Sequence, residues 1–248
     1  ISFQIPEYTS DVNALGTLRL LEIIRHYKKK KIKFYQASSS EMFGKSKPPQ
    51  NEKTLFQPRS VYAISKVFAY HSVIHYRDAY ALHACNGILF NHESPRRGVN
   101  FVTKKIVQGL VRIKQGKQKM LILGNLYSRR DWGHANDYVE SMWNILQQKK
   151  ANDFVIATKT SNSVKDFINI CAKKLNIKLN WKNKGLKEIA INKLTNKTII
   201  KVDQKYFRET EVDNLVGDFS KARRLLKWKP KYSFDKLIDD MINNELND

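Results

Sequence analysis

Cysteine is scarce in this chain, which holds only Cys85 and Cys171 among its 248 residues. Two cysteines at this separation make neither a disulfide framework nor a zinc site of paired thiolates, so we expect a reducing compartment, by default the cytoplasm. His71 and His75 have the spacing of two ligands on one helical face, but no glutamate lies between them as in a zinc protease. We therefore expect no metal. No apolar run reaches the roughly 18 residues of a membrane span, and we expect no membrane partner.

Acidic residues are also few: 45 lysines and arginines face 23 aspartates and glutamates, which gives a formal net charge of +22. This excess favours an anionic partner. A general drift of composition toward lysine explains it equally well, since basic residues occur in every predicted helix and loop. A nucleic-acid-binding protein would concentrate them in a patch with interleaved aromatic side chains, so we expect no nucleic-acid partner.

Hydrophobic spacing predicts alternating helices and strands in the first ninety residues. Apolar residues recur with helical spacing over 9–27 and again over 60–80. Short buried strands are predicted over 33–40 and 82–90, and the succession of helix and strand implies a parallel α/β layer. The N-cap of the first helix is expected at Thr9, Ser10 or Asp11.

The remainder of the chain is more mixed in its spacing. The segment 178–202 is basic and weakly periodic, which fits a hairpin or an irregular arm. The tail is typical of two helices separated by Pro230, with Ser220 and Ser233 as caps. Further elements are predicted between these regions: a helix over 102–115, a strand from Met120, a helix over 134–148, a strand over 154–157 and a helix over 164–175.

Tyr62 and Lys66 lie four residues apart on the second predicted helix, so both side chains leave the same face. An ammonium beside a phenol favours the phenolate, which turns a group of pKa about 10 into a usable base. The spacing alone is weakly specific, because Tyr-x-x-x-Lys also begins at Tyr27 and at Tyr232. The surroundings of Tyr62 must therefore decide its role.

Polar side chains at the end of the first predicted strand supply such surroundings. Ser38, Ser39, Ser40 and Glu41 follow one another there. The carboxyl end of a parallel strand is where α/β proteins bind ligands, and the loop 91–98 after the next strand reaches the same rim. Hydroxyls and a carboxylate facing the Tyr/Lys pair would bring an acid, a base and hydrogen-bond donors into one site. A serine-rich turn with a solvated glutamate is the more ordinary interpretation of these residues alone.

Seven segments carry a more specific signal: YQASSSEMFGK, PRSVYAISK, NGILFNHESPRRG, FVTKKI, LGNLYSRRDWGHANDYV, DFVIAT and YFRETEVDNLVGD. In this order and at these separations they resemble the GDP-mannose 4,6-dehydratases, which are extended members of the short-chain dehydrogenase/reductase family. The likeness runs to LKWKP and covers nearly the whole chain. NHESPRRG and RDWGHA are narrower signals than Tyr-x-x-x-Lys, since related epimerases and dehydratases have the latter and lack the former.

The resemblance implies a lyase that converts GDP-mannose to GDP-4-keto-6-deoxy-mannose, a step toward GDP-fucose, with NADP as cofactor. Tyr62 would take the proton of the sugar 4-hydroxyl, and Lys66 would lower the pKa of Tyr62 and bind the nicotinamide ribose. Glu41 would remove the C5 proton and help expel the C6 hydroxyl as water. Ser39 stands where the family has threonine. The hydroxyl is kept but the methyl that restricts its rotamer is lost, so we expect a slower enzyme, not an inactive one.

The same resemblance implies further binding residues and an assembly. Tyr8, His92 and Arg97 join Lys66 at positions where the family contacts its cofactor, and a guanidinium suits a phosphate because it donates two parallel hydrogen bonds. The family also implies a homodimer or homotetramer. The positions that would hold the nucleotide sugar are Asn91, Lys105, Arg130, Arg208 and Glu211.

The implied fold is α/β: a Rossmann-like doubly wound parallel sheet with a smaller α+β substrate-binding C-terminal domain. We expect 1–91 to be the second half of the NADP-binding domain, 134–158 to pack back onto it, and 92–133 with 159–248 to bind the nucleotide sugar. The ten glycines never cluster as G-x-G-x-x-G or G-x-x-G-x-x-G. The strands that carry this pyrophosphate turn are expected upstream of Ile1, so we expect the chain by itself to be inactive and prone to aggregate.

Two alternatives stay open at this point. One is another nucleotide-sugar enzyme of the same fold, such as a 4-epimerase or a dTDP-glucose 4,6-dehydratase. The other is an inactive, truncated chain that has lost cofactor binding. Glu41 separates a dehydratase from an epimerase, since an epimerase needs no carboxylate to take the C5 proton.

Overall fold

The computed structural model describes residues 2–27, 32–207, 210, 212 and 214–247. Its helices are α1 (Pro6–Ser10), α2 (Gly16–His26), α3 (Val61–Tyr80), α4 (Val102–Lys114), α5 (Ala135–Gln147), α6 (Val164–Lys174), α7 (Ser220–Leu225) and α8 (Phe234–Asn247). Its strands are β1 (Lys33–Ser39), β2 (His83–Leu89), β3 (Asn91–Glu93), β4 (Leu121–Leu123), β5 (Arg129–Arg130), β6 (Trp132–His134), β7 (Asp153–Ile156), β8 (Asn162–Ser163), β9 (Leu179–Lys182), β10 (Ile189–Asn192), β11 (Lys197–Val202) and β12 (Asn214–Leu215).

A three-stranded parallel sheet in the order β1-β2-β7 forms the first half of the fold. Phe34 packs with α2 and α3, whereas Tyr35 packs with α5, because neighbouring residues of a strand point to opposite faces. Ser39 lies opposite Leu89 at the end of the paired register, so β1 and β2 end at the same level. The predicted parallel α/β layer is confirmed, and its carboxyl rim is where Ser39 stands.

The first predicted helix differs from the structure in its start and its continuity. Helical structure begins at Pro6, and a π-helical turn over Asp11–Leu15 separates α1 from α2. A proline suits the first helical position because the N–H that it lacks has no partner there in any case. The Thr9 hydroxyl donates to the Ile5 carbonyl oxygen at 2.9 Å inside this segment. The prediction of Thr9, Ser10 or Asp11 as N-cap is therefore wrong.

A buried ion pair links α3 to strands β2 and β7. The Arg77 guanidinium donates to both carboxylate oxygens of Asp153, at 3.0 and 2.7 Å. Asp153 Oδ1 also accepts from the backbone and side-chain nitrogens of Asn86, at 3.0 and 2.8 Å. The Ser38 hydroxyl donates to Asn86 Oδ1 at 3.1 Å. The network thus runs from α3 through the sheet to the residue before Ser39.

The two edges of this sheet differ in whether other parts of the chain contact their backbone groups. On β7 the backbone N–H of Val155 donates to the Glu52 carboxylate at 2.8 Å, and Gln50 forms a bridge to Gly217. Among the described residues no strand pairs with the outer edge of β1. A row of backbone hydrogen-bonding groups is therefore left open along β1.

A second core lies between α4, α6, α8 and a four-stranded sheet in the order β4-β11-β10-β9. Ile106, Phe167 and Met241 are fully buried within it. Strands β9, β10 and β11 pair antiparallel, so of the two interpretations of 178–202 the hairpin is confirmed and the irregular arm is wrong. Within the described chain no helix is both long and apolar enough to cross a membrane.

The two serines predicted as helix caps behave differently. Ser233 precedes α8, and its hydroxyl accepts from the backbone nitrogen of Lys236 at 3.2 Å, which confirms the prediction. Ser220 is instead the first residue of α7. Its backbone N–H and its hydroxyl both donate to the Asp218 carboxylate, which satisfies that helix start from one residue earlier in the loop. The prediction for Ser220 is wrong.

Candidate active site

The carboxyl end of β1 turns sharply into a 3₁₀ turn over Ser40–Phe43, and this turn presents Glu41. The Ser39 hydroxyl accepts from the backbone nitrogen of Glu41 at 3.2 Å and so caps the turn. Gly44 follows at φ 52°, where a Cβ atom would lie 1.7 Å from the Gln57 carbonyl oxygen. Only glycine fits there, and the close approach brings the chain back toward the start of α3.

Helix α3 carries Tyr62 and Lys66 to the same rim. Ser60 caps the helix by accepting from the backbone nitrogen of Ala63 at 3.1 Å, so Tyr62 is its second residue and Lys66 follows one turn later. Lys66 Nζ donates to the carbonyl oxygen of Ala37 on β1 at 3.1 Å and lies 5.7 Å from the centre of the Tyr62 ring. The lysine thus ties the helix to the strand beside the phenol.

The pKa of Tyr62 is set by burial and by the side chains around its hydroxyl. Burial is the largest influence and leaves the pKa of Tyr62 raised overall. A hydrogen bond with the Ser39 side chain lowers the pKa, the Glu41 carboxylate raises it and the Arg97 guanidinium lowers it. Lys66 is not among these influences, although the sequence predicts that it lowers the phenol pKa. The ammonium is directed at the Ala37 carbonyl, and burial lowers the pKa of Lys66 itself. The structure brings Ser39, Glu41, Tyr62 and Arg97 together.

Glu93 is a member of this region that the sequence reasoning missed. It ends β3 with a side chain only 2% exposed, and its Oε2 accepts from the Thr103 hydroxyl at 2.6 Å. Arg97 Nε lies 2.9 Å from the same oxygen, and the guanidinium carbon sits 3.4 Å above the Phe101 ring centre. The signal available in the sequence was the Glu-x-x-x-Arg spacing within NHESPRRG.

His92 and Asn91 line the beginning of the same loop. His92 Nδ1 lies 2.9 Å from the carbonyl oxygen of Phe90, which accepts only, so Nδ1 carries the proton and Nε2 is left as an acceptor. Burial lowers the pKa of His92, and its ring stacks on Tyr138 at 4.8 Å. The buried Asn91 Oδ1 has no hydrogen-bond partner in the part of the chain that the structure describes. Such an orphaned acceptor fits a ligand donor.

Lys105 lines a separate cavity of about 260 Å³ at the start of the second core. Its Nζ lies 3.9 Å from the centre of the Tyr206 ring, and burial lowers the pKa of the ammonium. A cation over an aromatic ring, in a cavity wide enough for a heterocycle, fits an anionic nucleotide.

For the remaining predicted binding residues, the structure gives less support for a contact with ligand. Arg130 is 7% exposed and donates to the carbonyl oxygens of Arg129 and Val212, so its guanidinium is engaged with the chain. Tyr8 is 65% exposed on α1, which packs against α3. Arg208 and Glu211 lie outside the described residues. Among the described residues no group of three potential ligands is arranged to hold a metal ion.

The family of this chain follows from its similarity to known proteins. A model described as GDP-mannose 4,6 dehydratase matches residues 1–241. The chain belongs to the GDP-mannose 4,6-dehydratase family. It is 52% identical to GDP-mannose 4,6 dehydratase 1 of Arabidopsis thaliana over 99% of this chain and 64% of that protein. It is 50% identical to GDP-mannose 4,6 dehydratase of Dictyostelium discoideum over 99% of this chain and 70% of that protein.

The chain therefore spans about two thirds of the length of these GDP-mannose 4,6-dehydratase relatives. A solved structure of RMD from Pseudomonas aeruginosa complexed with NADPH is similar in fold, with a TM-score of 0.84 at 20% identity. The similarity covers 99% of this chain and 77% of that one. The Rossmann-like α/β fold implied by the resemblance is confirmed.

Proposed function

We propose that the full-length protein converts GDP-mannose to GDP-4-keto-6-deoxy-mannose with NADP as a recycled cofactor. The observation that carries the proposal is the convergence of Glu41 and Tyr62 at the carboxyl end of β1, where the carboxylate is close enough to perturb the phenol. A base for a hydroxyl proton and a second base for a carbon-bound proton are what oxidation at C4 followed by elimination across C5 and C6 requires. Relatives about half identical to this chain are named GDP-mannose 4,6 dehydratase.

NADP, when bound, supplies the chemistry of taking hydride from C4 and returning it to C6. Tyr62 removes the 4-hydroxyl proton, helped by the Ser39 hydrogen bond and the Arg97 charge, which both lower its pKa. Lys66 keeps two N–H groups beyond the one given to Ala37, and these would be available to hold the nicotinamide ribose of NADP.

Glu41 acts at the second stage of the reaction. Once C4 is a ketone, the C5 hydrogen is acidified, and the carboxylate removes it while assisting departure of the C6 hydroxyl as water. When hydride is returned to C6, a proton from solvent is added at C5 and completes the product. The 3₁₀ turn capped by Ser39 fixes the backbone of Glu41, so its carboxylate is presented from a short, rigid segment. Because both bases act on one sugar ring, the negative charge of Glu41 lies near Tyr62 and raises its pKa.

The residues present fit a dinucleotide phosphate and a nucleotide sugar. The neutral His92 ring offers Nε2 as an acceptor, and the half-buried Arg97 offers a cation for a phosphate. Tyr8 lies on the helix that packs against α3. On the substrate side, the orphaned Asn91 Oδ1 accepts a sugar hydroxyl, and Lys105 with Tyr206 holds part of the GDP group. Arg130, Arg208 and Glu211 complete the predicted substrate set.

The proposed domain organisation follows the predicted boundaries. Residues 1–91 form the second half of the NADP-binding domain, and 134–158 belong with them because α5 and β7 pack against β1 and β2. Residues 92–133 and 159–248 bind the nucleotide sugar. The cytoplasm is the proposed location, supported by two buried free cysteines.

A homodimer or homotetramer is proposed as the assembly. Helices α1, α2 and α3 pack together, and each leaves large apolar side chains exposed. Such a surface is typical of a protein interface. The exposed side chains are Tyr8, Ile23, Ile64 and Phe68 on the helices and Val12 on the π-helical turn between α1 and α2.

The test uses three incubations, each containing the full-length protein, NADP and one nucleotide sugar. The three sugars are GDP-mannose, dTDP-glucose and UDP-glucose. The proposal expects a 4-keto-6-deoxy product from GDP-mannose and no comparable product from the other two. A 4-keto product from dTDP-glucose, or C4 inversion of UDP-glucose, would assign the protein to another nucleotide-sugar enzyme of this fold. Unchanged recovery of all three substrates would support the inactive alternative.

A further inference from the structure

The Glu93 carboxylate is almost completely shielded from water. Its side chain is 2% exposed at the end of β3, and burial raises its pKa. A buried carboxylate is costly unless it is paired and hydrogen-bonded. The Thr103 hydroxyl donates a hydrogen bond to Oε2 at 2.6 Å, and Arg97 Nε lies 2.9 Å from the same oxygen as its ionic partner, without the geometry of a hydrogen bond.

The pairing fixes the position of Arg97. The guanidinium is held between the Glu93 carboxylate on one side and the face of the Phe101 ring on the other, 3.4 Å from its centre. A planar cation stacked on a ring and paired with a carboxylate loses most of its rotational freedom. Arg97 sits on a loop, so without these contacts its side chain would sample solvent.

We propose that Glu93 is a positioning residue: it holds the Arg97 guanidinium against the Phe101 ring in the loop that follows β3, and it acts on the reaction only through that arginine. This rests on the proposed function. The charged and titratable groups that face Tyr62 are Glu41 from the 3₁₀ turn, Lys66 from α3 and Arg97 from the loop. Those that face Glu93 are Arg97 and, from α5, Tyr138.

Glu93 reaches Tyr62 through Arg97 and not directly. Glu41 and Arg97 are the charged groups that shift the pKa of Tyr62, and Glu93 is not among them. Releasing Arg97 removes a positive charge that lowers this pKa. The pKa of Tyr62 then rises. As a result, the rising limb, which is the part of the pH profile in which activity increases with pH, moves to higher pH. A merely structural role for Glu93 would lower the amount of folded enzyme without moving this limb.

The first measurement does not depend on activity. Native protein and Glu93→Gln are treated with phenylglyoxal, which modifies arginines, and modification of Arg97 is followed by peptide mass analysis, with exposed Arg96 as internal reference. We expect Arg97 to react faster in Glu93→Gln while Arg96 is unchanged. Equal Arg97 rates in the two proteins would overturn the proposal, even if GDP-mannose is turned over.

The second measurement is the pH dependence of kcat/KM with GDP-mannose, for Glu93→Gln, Arg97→Gln and the double variant. We expect each single variant to move the rising limb to higher pH by the same amount, and the double variant to show no further shift. Additive shifts, or a Glu93→Gln limb that stays in place, would contradict action through Arg97. Glu52→Gln is the matched control, because it removes another partly buried carboxylate far along the chain from Arg97 and should leave the limb unmoved.

The two measurements separate the possible failures. If native protein does not turn over GDP-mannose, the proposed function fails, while the phenylglyoxal comparison still decides whether Glu93 holds Arg97. If turnover is found and Arg97 reactivity is unaffected by Glu93→Gln, the positioning proposal fails and the proposed function stands.

Discussion

At the residue scale, Ser39 joins two roles in one hydroxyl. It caps the 3₁₀ turn that presents Glu41, and its hydrogen bond lowers the pKa of Tyr62. Serine has no Cγ methyl, so its χ1 rotamer is less restricted than that of threonine. A threonine hydroxyl at this position would be restricted more strongly toward both partners.

The prediction at Ser39 is that Ser39→Thr raises turnover of GDP-mannose and Ser39→Ala lowers it. The alanine variant loses an influence that lowers the pKa of Tyr62, so its rising pH limb moves to higher pH. It also loses the cap of the turn, which costs about 1 kcal/mol of unfolding free energy. Steady-state kinetics across pH and denaturant unfolding measure both effects. Unchanged turnover in Ser39→Thr would show that the rotamer argument is wrong.

At the element scale, the attachment of α3 to the sheet determines whether Tyr62 and Lys66 meet the end of β1. Arg77 anchors the far end of this helix to Asp153 on β7 through two charge-assisted hydrogen bonds. Asp78, beside it, is 72% exposed and lies 3.9 Å from Arg77 Nε. The same arginine thus has one buried and one solvated acidic neighbour.

We predict that Asp153→Ala lowers the free energy of unfolding by about 3–5 kcal/mol, because it leaves Arg77 and Asn86 without their buried acceptor. Asp78→Ala should change it by less than about 0.5 kcal/mol, since an exposed pair contributes little. Urea unfolding of the two variants provides the comparison. Similar losses in both would mean that the buried pair does not hold α3 in place.

The elements were predictable from sequence to different degrees, and the reasons are physical. Helical spacing and short apolar runs gave α3, β1 and β2 close to their observed bounds, because both faces of this layer are covered. The π-helical turn at Asp11–Leu15 has no such signature, since its residues keep nearly helical spacing. Glu93 was missed because its Glu-x-x-x-Arg spacing alone is also typical of an exposed ion pair, and its hydrogen bond with Thr103, ten residues later, has no local pattern.

At the scale of the whole molecule, two surfaces are left uncovered among the described residues. The outer edge of β1 has no strand beside it among the described residues, and the relatives extend well beyond the matched region. On α5, Val139 and Trp143 are exposed one turn apart. An open strand edge and exposed apolar side chains are both features that another part of a protein or a partner chain can cover.

The apolar surface on α1, α2 and α3 makes a separate prediction about assembly. Phe68 is 43% exposed on α3, and Phe68→Glu should reduce the molar mass in light scattering to that of a monomer, because a buried unpaired charge opposes association. Leu194→Glu is the matched control, since Leu194 is 71% exposed on the hairpin between β10 and β11. Retention of the native mass by Phe68→Glu would place the interface elsewhere.

The most direct test of the account is the reaction of GDP-mannose in D₂O with native protein, Tyr62→Phe and Tyr232→Phe. Tyr232 begins the same Tyr-x-x-x-Lys spacing, but its ring stacks on His134 and its backbone nitrogen donates to Asp137 of α5, so it is the matched control. We predict a 4-keto-6-deoxy product that carries solvent deuterium at C5 from native protein and Tyr232→Phe, and a rate at least about 100-fold lower for Tyr62→Phe. Equal rates for Tyr62→Phe and native protein, or a product without deuterium at C5, would contradict the account.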